Sequence, residues 1–379
     1  MLRFLDAGES HGKALVAILD GIPSNFIVDI DYINNELKRR QVGYGRGERM
    51  KIEEDRVEII SGLRGNKTTG NPITMLIYNK DYEKWKDIIN REPEEEEKIT
   101  IPRPGHGDLV GYFKYGSGDI RDSIERTSAR ETAIRTAVGA LCKAMLLEIG
   151  IDIRSKVHSI GNNHDEVADI FDNEVYEEIN KSLVRCYSKE AEENFKKIID
   201  ICKEEGETIG GSIQLSIKGV PMGIGSYSQW DRKLDGILSY GIMSLQGVKA
   251  IEFGNGLDLS LKGSTFNDEI LYKEGKFVRP TNNCGGIEAG VSNGENIDIK
   301  VFIKPIPSIK KSIRTVDLKT KEEKSTRYER SDVSAVVPAS IVLENLVAFY
   351  ILREMLLKFP SDQFMDFKRA VEIFDGRDN

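Results

Sequence analysis

Cysteine, histidine and long apolar runs are scarce in this chain, and each shortage closes off a class of protein. Four cysteines stand among 379 residues, Cys142, Cys186, Cys202 and Cys284, with no Cys-x-x-Cys and no paired histidine spacing. Neither a disulfide framework nor a zinc site is expected, and a reduced, cytoplasmic protein is. The longest uninterrupted apolar stretches fall short of the roughly 18 residues a membrane helix needs, and the helical patterns carry charges, so no bilayer span is expected. Met1-Leu2-Arg3-Phe4-Leu5-Asp6 lacks the apolar core of a secretory signal, which predicts a mature chain starting at Met1. Bases are outnumbered, 54 Lys and Arg against 62 Asp and Glu, and the net charge of −8 argues against binding polyanions by bulk charge. Interdomain linkers and internal repeats are missing as well.

What is present describes an ordered protein. Hydrophobic residues at 39%, with 35 glycines beside them, exclude global disorder. The length admits two lobes or one large layered domain, and the lack of a linker favours one domain over residues 1–379. Apolar residues alternate at Ile213, Leu215, Ile217, at Leu257, Leu259, Leu261, and at Ile297, Ile299, Val301, Ile303, which predicts half-buried strands of antiparallel sheet. Helical spacing recurs at Ile134, Val138, Leu141, Met145, Ile149, at Phe195, Ile198, Ile199, Cys202, and at Leu234, Ile237, Leu238, Ile242, Leu245. A last helix is expected from about Pro338 to Lys358. Strands and helices interleave without a regular βαβ rhythm, so the fold class is α+β, a sandwich of antiparallel sheets and helices. Three charged segments, 38–55, 81–98 and 310–330, read as mobile loops.

Two of four histidines are presented by glycine-rich turns, His11 in Gly8-Glu9-Ser10-His11-Gly12 and His106 in Gly105-His106-Gly107. Such flanks let the backbone approach a ligand closely, whereas His158 and His164 read as surface residues of a polar loop. Gly8 to Gly12 also satisfies the serine-hydrolase pattern G-x-S-x-G, but a strand-like segment follows where that motif needs a helix. Phosphate-loop and dinucleotide patterns fail on inspection. Arginines gather against the overall charge: Arg39, Arg40, Arg46 and Arg49 with Lys38 and Lys51, then Arg103, Arg126, Arg130 and Arg330. Bidentate guanidinium groups in an acidic protein suggest a small, multiply anionic ligand. A solvated helix end accounts for Lys38, Arg39 and Arg40 equally well, but not for Arg46 and Arg49. An RNA-binding module is the other class to weigh, and the absence of an aromatic-studded basic sheet argues against it.

Taken in order, these blocks resemble the chorismate synthase family. The match runs through Gly8-Glu9-Ser10-His11-Gly12 with Asp20-Gly21-Ile22-Pro23, Arg39-Arg40-Gln41 to Gly47, Lys67-Thr68-Thr69-Gly70, Arg103-Pro104-Gly105-His106, and Arg126-Thr127-Ser128-Ala129-Arg130-Glu131-Thr132-Ala133. It continues through Ile251-Glu252-Phe253-Gly254, Thr281-Asn282-Asn283 to Gly286, Lys304-Pro305, and Arg330-Ser331-Asp332 leading to Glu344. The resemblance implies a homotetrameric enzyme that uses reduced FMN to eliminate phosphate from 5-enolpyruvylshikimate 3-phosphate, with NADPH as flavin reductant in some members, and no nucleic-acid or membrane partner. It implies substrate contacts at Arg40, Arg46, Arg49, Arg103 and Arg130. His11 would stabilise the leaving phosphate, His106 the reduced ring, and Asp332 would take the proton onward, with Ser10 and Ser128 as relay groups. Flavin contacts would fall on Arg126, Thr127, Ser128, Gln246, Gly247, Ala289, Lys304, Ser308 and Arg330. The chain departs from the family pattern at Gly107, where Ala is frequent, at Thr127, where Ser is, at Gln246-Gly247, where Asn-Ala is, and at Val333, where Pro is.

Overall fold

Two antiparallel sheets flank a layer of helices in the computed structural model, which describes residues 1–47, 53–165 and 169–375. The first sheet orders its strands β1 (Arg3–Ala7), β2 (Ala14–Asp20), β4 (Ile73–Tyr78), β3 (Glu58–Ser61). The second runs β7 (Val248–Phe253), β8 (Ile297–Ile303), β6 (Gly211–Lys218), β5 (Asp152–Ile160), with Asn163–His164 at its edge. Register follows the apolar alternation: Ile297 lies opposite Ile217 and Val301 opposite Ile213, so the inward faces of β8 and β6 coincide. In the first sheet Leu15, Ala17 and Leu19 of β2 and Ile73, Met75 and Ile77 of β4 are fully buried, while Ile18 and Tyr78 face outward.

Four helices fill the middle: α1 (Ile30–Gln41), α2 (Thr132–Leu147), α3 (Leu234–Met243) and α4 (Val336–Lys358). Helix α2 packs on β2 and β4, α4 packs on β5 and β6, and the two helices pack on each other. Their crossing is close because Gly139 of α2 has no side chain; a methyl there would stand 2.1 Å from the Asn345 carbonyl oxygen. Helix α1 begins at Asp29, whose carboxylate accepts the amides of Asp31 and Tyr32. One continuous core joins both sheets and these helices. A small second core, Ile120, Ile124 and Leu318 with Ile99 and Tyr112, lies under the helices Asp108–Tyr115 and Arg121–Thr127 and the hairpin Arg314–Val316/Glu323–Ser325.

The α+β sandwich, the strands at 211–218 and 297–303 and the main helices match the sequence expectations, and several details differ. Leu257, Leu259 and Leu261 form no strand: Asp258 accepts the Ser260 amide and hydroxyl and turns the backbone, leaving Leu257 57% and Leu259 91% exposed. Alternation without a neighbouring strand is not enough to make one. Helix α4 starts at Val336, and a further helix, Phe364–Asp375, follows it. The segment 81–98 contains a helix, Tyr82–Ile89, and 310–330 contains the hairpin named above. His158 is in β5 and half-buried rather than in a loop, because the strand continues through the polar stretch. Helix α4 is long and apolar enough to cross a membrane by length and composition, but its apolar run is interrupted by Glu344, Arg353 and Glu354, and 94% of its most apolar window is buried inside the molecule. A helix apolar on all sides is what the middle layer of a sandwich requires.

Candidate active site

His11 sits in the turn between β1 and β2, a strand-turn-strand setting that excludes the hydrolase elbow. The turn is fastened to the helix Arg121–Thr127. Glu125 lies 2.9 and 3.0 Å from His11 Nδ1 through its two oxygens, accepts the His11 amide at 2.8 Å, and offers its backbone carbonyl to the Ser10 amide. Burial alone would raise the Glu125 pKa, but the His11 contacts hold it below the usual carboxylate range. Trp85 stacks on the imidazole at 4.1 Å between ring centres, and the Arg121 guanidinium lies 5.0 Å from the indole centre.

His106 repeats the pattern on the next loop. Asp108 Oδ1 is 2.5 Å from His106 Nδ1, and Asp108 also receives Arg103 through Nε at 2.9 Å and Nη2 at 3.0 Å. Burial pushes the Asp108 pKa up, and His106 with Arg103 pull it well below the ordinary value. Arg103 Nη1 donates to Ser308 Oγ at 2.7 Å, which links this loop to the 304–308 segment. A carboxylate on Nδ1 fixes the ring's orientation, and Arg103 Nη2 lies against the same ring, 3.0 Å from Nδ1 and 3.4 Å from Nε2.

Beside these lies the arginine cluster. Arg40, the penultimate residue of α1, donates to Thr132 Oγ1, Asp55 Oδ2 and the Ala129 carbonyl at 3.0 to 3.2 Å. Arg130 takes the other oxygen of Asp55 at 2.6 Å and donates to Asn79 Oδ1. Arg46 pairs with Asp332, whose Oδ1 accepts the Gly47 amide at 2.6 Å. Arg40, Arg103 and Arg130 are 4 to 6% exposed, so the solvated-helix-end reading fails for Arg40. Arg39 is only partly exposed and turns toward Glu344 in the core. Burial pushes Arg40 down to about 10 despite Asp55, with Arg130 and Arg46 adding to the fall, and Arg46 is lowered by burial as well. Among the described residues Arg46 Nε and Arg130 Nη2 are buried without a hydrogen-bond partner. Arg49 lies outside the described residues.

The residues expected to hold flavin divide into groups. Lys304 donates through Nζ to Gly105, beside His106, and through its amide to Gly247; Ser308 receives Arg103 and its carbonyl accepts Ser331 Oγ. Gln246 binds Glu131 through Nε2, while its Oε1 is buried without a partner among the described residues. The helix Arg121–Thr127 ends at Arg126 and Thr127 rather than beginning there, and Ser128 caps the turn Ala129–Glu131 that leads into α2. Arg126 is tied to Asp6 and Gly8. Ala289, at φ 52°, turns the hairpin Ile287–Glu288/Val291–Ser292. Arg330 lies 3.5 Å from Asp81 and, with Arg46, Ser308, Asp332, Tyr44 and Tyr328, lines a cleft of about 430 Å³.

Sequence reasoning missed the supporting acids Asp55, Asp108 and Glu125, and also Trp85 and Asn79. Only Asp108, two residues after His106, carried a local signal. The rest are joined to their partners across 15 to 114 positions.

The family model for chorismate synthase matches residues 2–356. The chain is 72% identical to a chorismate synthase of Clostridium tetani (strain Massachusetts / E88), over 99% of this chain and 97% of that protein. It is 53% identical to a chorismate synthase of Alkaliphilus oremlandii (strain OhILAs), over 96% and 95%. A crystal structure of chorismate synthase superposes with a TM-score of 0.80 at 37% identity, covering 99% of this chain and 98% of that one.

Proposed function

The chain belongs to the chorismate synthase family, and we propose that its site eliminates phosphate from 5-enolpyruvylshikimate 3-phosphate by an anti-1,4 route, giving chorismate. It is a carbon–oxygen lyase of aromatic amino acid biosynthesis, acting on a small molecule at the last common step of the shikimate pathway. The observation that supports the site assignment is a pair of guanidinium nitrogens, Arg46 Nε and Arg130 Nη2, buried with no hydrogen-bond partner among the described residues, Arg130 Nη2 lying 3.7 Å from Glu53. A buried donor left unpaired costs about 1 to 3 kcal/mol, and an anionic substrate with a phosphate and two carboxylates is the kind of ligand that recovers it.

Arg40, Arg46, Arg103 and Arg130, with Arg49, clamp the substrate. His11, seated on Glu125, stabilises charge growing on the departing phosphate, an interaction stronger in the transition state than before it. Asp332, oriented by Arg46 and the Gly47 amide, receives the proton lost from C6. Ser10 and Ser128 serve as hydrogen-bond relays. Burial and Lys249 lower the Lys304 pKa, and Lys304 together with Gln246 Oε1, an acceptor with no hydrogen-bond partner among the described residues, suits a reduced isoalloxazine, which has N–H groups to donate and negative charge to neutralise. The family uses reduced flavin, and reduced FMN when bound supplies transient electron density to the departing system. Arg126, Thr127, Ser128, Gln246, Gly247, Ala289, Lys304, Ser308 and Arg330 would hold it, and His106 on Asp108 would face its charged edge. NADPH is the proposed flavin reductant, with Arg40 and Arg46 the contacts to test. The active species is a cytoplasmic homotetramer of a single-domain chain, with neither nucleic acid nor membrane as partner; the continuous main core supports the single domain.

The test is anaerobic release of phosphate and chorismate with chemically reduced FMN, against oxidised FMN. Release with reduced FMN alone is expected. No release from folded, flavin-loaded protein would mean that the clamp serves another anion.

A further inference from the structure

Glu344 shares a sequence block with Arg330 and Asp332 but sits fully buried in the middle of α4, touching none of the described clamp arginines. Its carboxylate is the centre of a second ionic cluster. Oε2 accepts Lys143 Nζ at 2.6 Å and Arg39 Nη1 at 2.9 Å. Oε1 accepts Ser155 Oγ at 2.7 Å, Arg185 Nη2 at 2.9 Å, Tyr176 Oη at 3.0 Å and the Ser155 amide at 3.1 Å. Glu36, one turn before Arg39 on α1, binds Arg39 at 2.5 Å and Asn345 at 2.7 Å, and lies 3.4 Å from Lys143. Helix α1 is thus gripped through Glu36 and Arg39 by α2 and α4 together.

The next two residues of α1 belong to the ligand site. Arg40 reaches Asp55 and Thr132, and the Gln41 side chain holds the segment that carries Asp55, donating to the Glu53 carbonyl at 2.9 Å and accepting the Asp55 amide at 3.1 Å. Asp55 in turn holds Arg130. Neighbouring residues on a helix are about 100° apart around its axis, so fixing the direction of Arg39 fixes that of Arg40. We infer that Glu344 is a positioning residue for the reaction: it anchors the last turn of α1 through Arg39 and Lys143, and that anchor aims Arg40, Asp55 and Arg130 at the substrate anion. The inference rests on reading Arg40 as a substrate clamp, and it gives the Arg330-to-Glu344 block one purpose at both ends.

Three variants test it. Glu344→Gln keeps the shape and weakens the grip on Arg39; KM for 5-enolpyruvylshikimate 3-phosphate is expected to rise about 10-fold or more, with kcat changing less, because misaimed binding groups lose uniform affinity. Arg185→Met removes a partner of Glu344 that belongs to neither α1 nor α2, though it shares Asn180 Oδ1 with Arg39, and is the structural control; thermal stability falls and KM stays within about twofold. Glu344→Gln with Lys143→Met leaves the cluster's total charge unchanged, so stability recovers while KM stays raised. An equal KM rise in Arg185→Met, or rescue of KM by the double variant, would overturn the positioning role. Hydrogen exchange adds a readout independent of turnover: faster exchange at Gln41, Tyr44 and Asp55 in Glu344→Gln, and not in Arg185→Met, is expected. Were wild type inactive, the proposed reaction would fall, and the anchoring claim would still be decided by that exchange difference. If Glu344→Gln does not fold, Arg39→Lys carries the same expectations at about 3- to 10-fold in KM.

Discussion

The Glu344 cluster and the Arg40–Arg46–Arg130 clamp are built from the same parts, buried cations against buried carboxylates, and come out electrostatically opposite. Around Glu344 attraction exceeds burial: the carboxylate is held well below its usual range against desolvation by Arg39, Lys143 and Arg185, and Arg39 is held well above its own. In the clamp burial exceeds attraction, and Arg40 and Arg46 both fall. Hydrogen bonding follows the same division. Every nitrogen of Arg185 is used, on Ser340, Asn180, Ser155 and Glu344, whereas Arg46 Nε and Arg130 Nη2 are buried with no hydrogen-bond partner among the described residues, Arg130 Nη2 lying 3.7 Å from Glu53. A cluster whose attractions outweigh burial holds the fold together, and one whose cations are under-compensated holds a place for an anionic ligand.

The sharpest break of this contrast exchanges one arginine in each cluster. Arg40→Met is expected to lower kcat/KM by about 1,000-fold or more and to leave stability within about 1 kcal/mol, because Asp55 keeps Arg130 and an under-compensated charge is removed. Arg185→Met should do the reverse, costing about 3 kcal/mol by leaving Glu344 short of a cation while the clamp still works. Urea melts and steady-state kinetics on both proteins decide the matter. Equal stability losses would erase the distinction between the clusters.

How much of this the sequence discloses depends on the range of the interaction. The alternation at Ile297 to Ile303 and the apolar face from Ile134 to Met145 are local, and both became the expected elements. Leu257 to Leu261 shows the same alternation and fails, since pairing is set by a partner strand that local pattern does not contain. At the site, His11 and His106 are legible because glycines present them. Arg39 and Arg40 are not separable by sequence, being adjacent bases at a helix end, yet one joins the core cluster and the other the clamp. Glu344 and Arg39 are 305 positions apart, and nothing in either neighbourhood announces the other.

A smaller effect is expected at the rim of the site, where two departures from the family pattern prove to be coupled. A methyl on Gly107 would stand 2.6 Å from Thr127 Cγ2, the methyl that a serine lacks. Gly107→Ala alone should therefore cost about 1 to 3 kcal/mol and, by moving the residue between His106 and Asp108, reduce turnover. Thr127→Ser should restore both in the double variant. A cycle in which the two changes simply add would show that the contact is unimportant and that the clamp's rim is softer than its charged floor.

The pH dependence of stability separates the clusters from their surroundings most finely. Glu344 is depressed, so its contribution is complete above the unfolded carboxylate value of about 4.3 and is lost only as pH falls through its lower folded value. Lys143 is raised, so its share is complete below about 10.4 and is lost only as pH climbs past its folded value. Neither changes the slope near neutrality. His158 does: burial, with Lys300, Lys156 and His164 adding and Asp165 opposing, lowers it to about 4. The folded protein then resists protonating a ring that the unfolded chain protonates near 6.5, so stability present above that value drains away as pH falls toward 4. His158→Gln should flatten this arm by roughly 1 kcal/mol, a figure reduced for the ring's partial exposure. Glu344→Gln should lower the whole curve without changing its slope between pH 6.5 and 5. A change of slope there in Glu344→Gln would place protonation inside the cluster at mild acidity, and the cluster would then be a titrating element rather than a fixed anchor.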